Sequence, residues 1–239
     1  MTSNDIKRII HDQTLWLLPE KAVFWEDEGV LLVADLHFGK VGHFQRQGIA
    51  VPRGSQQKTL DRLDRVIHRT EPQAIWFLGD LFHSQPNDEW FEFQEWLANH
   101  DTLSCTLIQG NHDIAKPSQY TAIGLDVQPE LSHHGLLFAH EPAHHFPKAT
   151  TAPDDQGSST DFRLCGHLHP GVKIRSTGRQ TLTLPCFFES TDHLMLPAFG
   201  EFTGLHCLSV PNDCEAYIVT EERLTPYSSL PPQSTTNYR

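Results

Sequence analysis

The chain has 239 residues, 38% of them hydrophobic and 20% charged, with 15 glycines and 16 prolines. Such a chain can bury roughly 70% of its unfolded surface without a disulfide or metal staple, and its composition excludes collagen-like, coiled-coil and disordered classes. With 18 Lys and Arg against 30 Asp and Glu, the net charge is −12, which excludes non-specific coating of nucleic acid but leaves room for a local phosphate site.

The N-terminal MTSNDIKRII lacks the apolar core of a signal peptide. No apolar run approaches the roughly 18 residues of a membrane span, so a soluble, cytoplasmic protein without a membrane partner is expected. Residues 22–25 and 30–34 read as strands around a turn at 26–29. Residues 55–69 carry Leu60, Leu63, Val66 and Ile67 at helical spacing, with Ser55 as the expected cap and Pro72 beyond the end. Residues 74–78 and 105–108 are short, continuously apolar strands of the kind covered on both faces. Between them, residues 87–100 predict a helix that buries Trp90, Phe93, Trp96 and Leu97; this aromatic spacing is that of a core, not of a base-stacking platform.

The second half changes character. Residues 136–139, 162–165, 172–175, 181–184, 206–210 and 216–220 are strand-like and separated by turns. The polar stretch 148–160 predicts a mobile surface loop, and the tail from residue 228 has no burial pattern. One domain over 1–227 with a flexible tail at 228–239 is expected. Two facing sheets with helices outside them follow from the α/β half and the β-rich half.

The five cysteines are odd in number and form no C-x-x-C pair, so they are expected to be free and mostly buried. Sixteen histidines direct attention to metal ligands. Asp35-Leu36-His37, Gly79-Asp80, Gly110-Asn111-His112-Asp113, His140 and Gly166-His167-Leu168-His169 each follow a short apolar strand. Strand ends on one sheet edge are where such folds build their sites, and the glycines let the backbone turn and bring the next ligand inward. Asp-x-His and His-x-His place two side chains on one side of an extended or turning backbone. Two divalent ions held by these carboxylates, with a bridging hydroxide, leave a site of about +1, suited to a phosphate ester.

In their order along the chain, D-x-H, G-D, G-N-H-D, H and G-H-x-H, these residues resemble the calcineurin-like metallophosphoesterase superfamily. Residues 32–40, 79–84, 166–170 and 196–204 look like the bacterial ligase-associated DNA-damage-response phosphoesterases. The resemblance implies a four-layer αββα sandwich of two mixed sheets flanked by helices. It implies a two-metal phosphodiesterase, or DNA endonuclease linked to DNA repair, that uses manganese (with Fe or Zn as alternatives) and is associated with a DNA ligase and a helicase. Carried over by position, it assigns Asp35, His37 and His169 to one metal and Asn111, His140 and His167 to the other, with Asp80 bridging. A bridging hydroxide is then the nucleophile, His112 the proton donor to the leaving oxygen, and Asp113 the group that orients His112. His83 matches a family position near the site. A phosphatase or diesterase for small nucleotides is the alternative reading, and the acidic charge suits it.

Lys40, Arg46 and Arg53 form a positively biased loop after the first motif, where phosphate contacts are expected. The stretch 144–161 looks longer than in the family; His144 and His145 begin it and are weaker candidates for substrate contact. His133 and His134 read as ordinary turn residues.

Overall fold

A computed structural model describes residues 1–40, 54–83, 88–143, 161–175, 181–201 and 203–227. Its first sheet has seven strands in strict chain order: β1 (Ile6–Ile10), β2 (Gln13–Leu18), β3 (Ala22–Trp25), β4 (Val30–Val33), β5 (Ala74–Leu78), β6 (Ser104–Ile108) and β7 (Leu125–Gln128). The first four run antiparallel; β4 to β7 run parallel.

Helix α1 (Ser55–Thr70) joins β4 to β5, α2 (Asp88–Ala98) joins β5 to β6, and α3 (Pro117–Ala122) lies between β6 and β7. Right-handed crossovers that always step in the same direction put these three helices on one face of the sheet. The core confirms that placement: Leu60, Leu63 and Val66 of α1, Phe93 and Trp96 of α2 and Tyr120 of α3 share one cluster with Leu31, Val33, Phe77 and Leu107. The aromatic residues of α2 are core, as their spacing predicts. The start of α1 differs from expectation, because Gly54, left-handed at φ 86°, occupies the cap position and no side chain caps the helix.

The second sheet comprises β8 (Leu131–His133), β9 (Leu136–Phe138), β10 (Phe162–Cys165), β11 (Pro170–Arg175), β12 (Thr181–Glu189), β13 (His193–Met195), β14 (His206–Cys207), β15 (Glu215–Val219) and β16 (Leu224–Tyr227). Strands β9, β10 and β13 run parallel, while β12 is antiparallel to β11, β13 and β15. Strand β12 extends well past the expected residue 184 because Cys186, Phe187 and Phe188 are buried. The expected strand at 206–210 shrinks to two residues.

The helix-free face of the first sheet packs on the second sheet. Leu15, Leu17, Trp25 and Leu32 meet Phe138, Leu164, Phe187 and Tyr217 in one core, where Trp25 stacks on Phe138 at 5.3 Å between ring centroids. Each large side chain buried there contributes about 1.5–3 kcal/mol. Small clusters around Val172 and Cys186, and around Cys165 and Phe188, lie outside this core. All five cysteines are free; Cys105, Cys165 and Cys186 are buried, Cys207 is exposed and Cys214 partly so. No described helix is long and apolar enough to cross a membrane.

Candidate metal centre

The parallel strands β4, β5 and β6 end on one edge, and Asp35, Asp80 and Asn111 follow them there. Strands β9 and β10 deliver His140 and His167 to the same edge, and His169 precedes β11. The result is two groups of ligand atoms, one from Asp35, His37 and His169 and one from Asp80, His140 and His167, each with its atoms within 4.8 Å of one another. In the first group His37 Nε2 faces His169 Nε2 at 3.2 Å, and His169 Nε2 lies 3.5 Å from Asp35 Oδ1. In the second, His140 Nε2 lies 3.0 Å from both Asn111 Oδ1 and His167 Nδ1. Asp80 stands between them, with Oδ1 3.4 Å from His140 Nε2 and Oδ2 3.8 Å from His37 Nε2.

The backbone that achieves this is not extended. Asp35 (φ 55°), His37 (φ 51°), Asp80 (φ 50°), His167 (φ 72°) and His169 (φ 50°) are all left-handed. Each such residue costs of order 1–3 kcal/mol and persists only where its surroundings hold it. Backbone bonds do so here: Asp35 N–H donates to the Gly79 carbonyl and His37 N–H to the Asp80 carbonyl. His167 N–H donates to Asp35 Oδ2 and His112 N–H to Asp80 Oδ1. Gly79 is needed twice over, since it has φ +81° and a Cβ there would sit 2.1 Å from His140 Nδ1. Gly166 serves closeness rather than turning: a Cβ would meet Asp35 Oδ2 at 2.4 Å.

The donor set fits cations. Asp35 Oδ1 and His37 Nδ1 are buried with no hydrogen-bond partner, a costly state for a carboxylate unless a positive charge compensates it. Burial pulls the His37 ring down to about 2 despite the attraction of Asp80, so it stays in the neutral form that coordinates metals. Burial pushes Asp80 up, but its bond and attraction to His140 and the His112 amide outweigh this and hold it near 2, ionised. Burial likewise lowers His140, yet Asp80 and Asp35 lift it to about 9; the site attracts positive charge strongly. Outer contacts fix two rings, as His140 Nδ1 bonds the Leu78 carbonyl at 3.0 Å and His169 Nδ1 the Gly204 carbonyl at 3.1 Å. These bonds aim both Nε2 atoms inward.

His112 is half-buried beside the first group, its ring stacked on His83 at 4.6 Å and edge-on to His37 at 5.5 Å. Asp113, expected to orient this ring, is buried in the same turn. Its oxygens accept from the backbone amides of Phe82 (3.1 Å) and Gly110 (2.9 Å). Asp113 therefore acts as a buried anchor of the turn, and burial raises its carboxyl to about 7. Lys40 is half-buried, and burial lowers its pKa against the attraction of Asp80 and Asp35, which places its ammonium within electrostatic reach of both. Arg46, Arg53, His144 and His145 lie outside the described residues, as does nearly all of the stretch 144–161.

Sequence reasoning did not single out Arg163. It lines a cavity of about 500 Å³ with Gln109, Asn111, Glu130, His140 and Glu141. An arginine between Phe162 and Leu164 reads as an ordinary outward strand position, so no local signal marks it. The role of the 196–204 segment also emerges only here: Phe199 and Gly200 amides bond the carbonyls of Ala34 and Asp35, bracing the first ligand loop.

A family model described as calcineurin-like phosphoesterase matches residues 29–162. The chain belongs to the calcineurin-like phosphoesterase family. The match spans four of the five motifs and ends before His167 and His169, which the G-H-x-H motif names and the geometry brings to the other ligands. The crystal structure of Pseudomonas putida nuclease MPE is similar to this phosphoesterase at 30% identity and a TM-score of 0.75, over 94% of this chain and 100% of that one. Yfce, a phosphoesterase from E. coli, aligns over 82% of this chain and 95% of its own at 13% identity, with a TM-score of 0.42. No curated protein matches the chain. This member is a metal-dependent phosphoesterase, and its family implies divalent metal ions.

Proposed function

We propose that this phosphoesterase is a two-metal phosphodiesterase that cleaves DNA, with manganese as its metal and a role in DNA repair. The observation that carries the reading is the likeness to a nuclease over nearly the whole of both chains. Asp35, His37 and His169 would hold one ion, Asn111, His140 and His167 the other, and Asp80 both. Bound there, divalent ions act as Lewis acids toward the phosphate ester and make water a usable nucleophile at neutral pH.

The chain's own groups do the rest. Asp80, ionised and anchored by the His112 amide, fixes the spacing of the two ligand groups. His112 sits at the rim of the first group, where its imidazole can hold a proton for the departing oxygen. His83, stacked on it, restricts its ring. Lys40, within reach of Asp35 and Asp80, and Arg163, in the cavity lined by Asn111 and His140, supply positive charge to a substrate backbone in a chain of net charge −12. Association with a DNA ligase and a helicase belongs to the same proposal.

A substrate panel with Mn²⁺ tests it: single- and double-stranded DNA, a generic diester, a generic monoester and a cyclic nucleotide. Cleavage of DNA and of the generic diester is expected. Turnover of the cyclic nucleotide or monoester with intact DNA would replace this reading by a small-nucleotide phosphoesterase, which the acidic charge favours.

A further inference from the structure

At the opposite end of the two sheets lies a third convergence of ligand atoms. Glu28 sits in the turn between β3 and β4, on the first sheet. His133 and His134 sit at the turn between β8 and β9, on the second. Their ligand atoms lie within 4.8 Å of one another, with Glu28 Oε1 3.0 Å from His134 Nε2 and Glu28 Oε2 3.7 Å from His133 Nε2. Since Glu28 precedes β4 and Asp35 follows it, the cluster stands on the order of 15–20 Å from the phosphoesterase centre. We propose that Glu28, His133 and His134 form a separate zinc-type site that clasps the two sheets together.

Neighbouring residues in a strand point to opposite faces, so two adjacent histidines ordinarily cannot reach one ion. These two can, because the hairpin pairs His133 with Leu136, leaving His134 and Gly135 as a two-residue turn with φ 51° and 74°. That is the turn in which asparagine or glycine is the usual first residue. A histidine there is conformationally costly, and it is the same backbone state that five ligands of the phosphoesterase centre adopt. As a result the rings of His133 and His134 lie 4.1 Å apart. Both meet Trp25 edge-on, at 5.7 Å and 6.2 Å, so the buried indole orients them.

The spacing suits zinc. Zinc–nitrogen bonds of about 2.0–2.1 Å in a tetrahedron separate ligand atoms by about 3.3 Å; the 3.0 Å from Glu28 Oε1 to His134 Nε2 is close to that value, and one ligand atom from each of the three residues falls within 4.8 Å of the others. Two imidazoles and a carboxylate match a borderline divalent ion better than calcium or magnesium, which take oxygen. Side-chain exposures of 45% and 49% for the histidines and 34% for Glu28 leave the site open to an ion and to a water as fourth ligand. Because the donors come from different sheets, bound metal adds a cross-link that the hydrophobic core between the sheets does not supply.

The test is zinc content per full-length chain after equilibration with excess Zn²⁺ and removal of the unbound ion. His134→Asn keeps the left-handed turn and removes an imidazole; Glu28→Gln removes the carboxylate without touching the turn. Each variant is expected to hold one ion fewer than the wild type while keeping its phosphoesterase turnover. The same one-ion difference should persist in an Asp80→Ala background, where the distant centre is disabled. Zinc at roughly a hundred times its dissociation constant should raise the melting temperature by about 5–10 °C more in the wild type than in His134→Asn. Equal zinc counts in the wild type and both variants, or equal zinc-induced shifts, would overturn the proposal.

Discussion

The two sheets bring different chemistry to the phosphoesterase centre. The first, backed by helices, contributes the oxygen donors Asp35, Asp80 and Asn111, along with His37 and His112. The second contributes only imidazoles, those of His140, His167 and His169. Neither sheet holds a complete ligand group, since each of the two combines both sources. The centre is thus a property of the interface, and the core between the sheets is part of its machinery.

The sharpest test of this division removes the carboxylate that touches both groups. Asp80→Ala should lower turnover by at least about 10³-fold, since metal ions supply several kcal/mol of transition-state stabilisation. Metal analysis should show weakened binding of both ions. His167→Ala, by contrast, should weaken only one. If both variants lose a single ion, Asp80 does not bridge.

The next effect concerns the proton donor on the first sheet. His112→Ala should keep both metals and lose roughly 10²–10⁴ in rate on esters with an alkoxide leaving group, with a far smaller loss on esters of acidic phenols. Equal losses on both ester types would make His112 a substrate clamp instead. A third comparison uses packing. Phe138→Ala between the sheets and Phe93→Ala beneath the helices should each cost about 3–5 kcal/mol. Only Phe138→Ala should also weaken metal affinity, because His140 lies two residues beyond it; equal affinity in both variants would dissociate the centre from the interface. The smallest expected effect is that of Lys40→Met. It should leave hydrolysis of a small diester nearly unchanged while reducing the salt slope of DNA cleavage by about one. Parallel losses on both substrates would mean that Lys40 serves the metals.

How legible these features were depended on periodicity and proximity in sequence. Strands β3 and β5 were readable to the residue because each is a short apolar run closed by turn residues, and β10 because Phe162, Leu164 and Cys165 frame one outward Arg163 before Gly166. The order of D-x-H, G-D, G-N-H-D, H and G-H-x-H identified the family before any geometry, and the structure brings those residues together. The β1–β2 hairpin was not seen, although Ile6–Ile10 alternates in burial, because its His11-Asp12 turn lacks the glycine that usually signals one. Helix α3 has only six residues, too few to show a period. The carbonyls of Leu78 and Gly204 that aim the histidines carry no side-chain signal at all. His133 and His134 looked like plain turn residues because Glu28, which gives them meaning, lies more than a hundred positions earlier.

The strict chain order of the first sheet has a further consequence, for the sequence of events in folding. Strands β1 to β7 pair only with neighbours in the chain, so this sheet can assemble early and through relatively local contacts. The second sheet must then close over a hydrophobic face already formed, and each ligand group waits for a histidine from it. During synthesis that face emerges first and stays uncovered until β9 to β12 arrive, an interval of exposed apolar surface in which aggregation competes. Metal binding becomes available only when that interval ends, which makes uptake of the ions a kinetic marker for the docking of one sheet on the other.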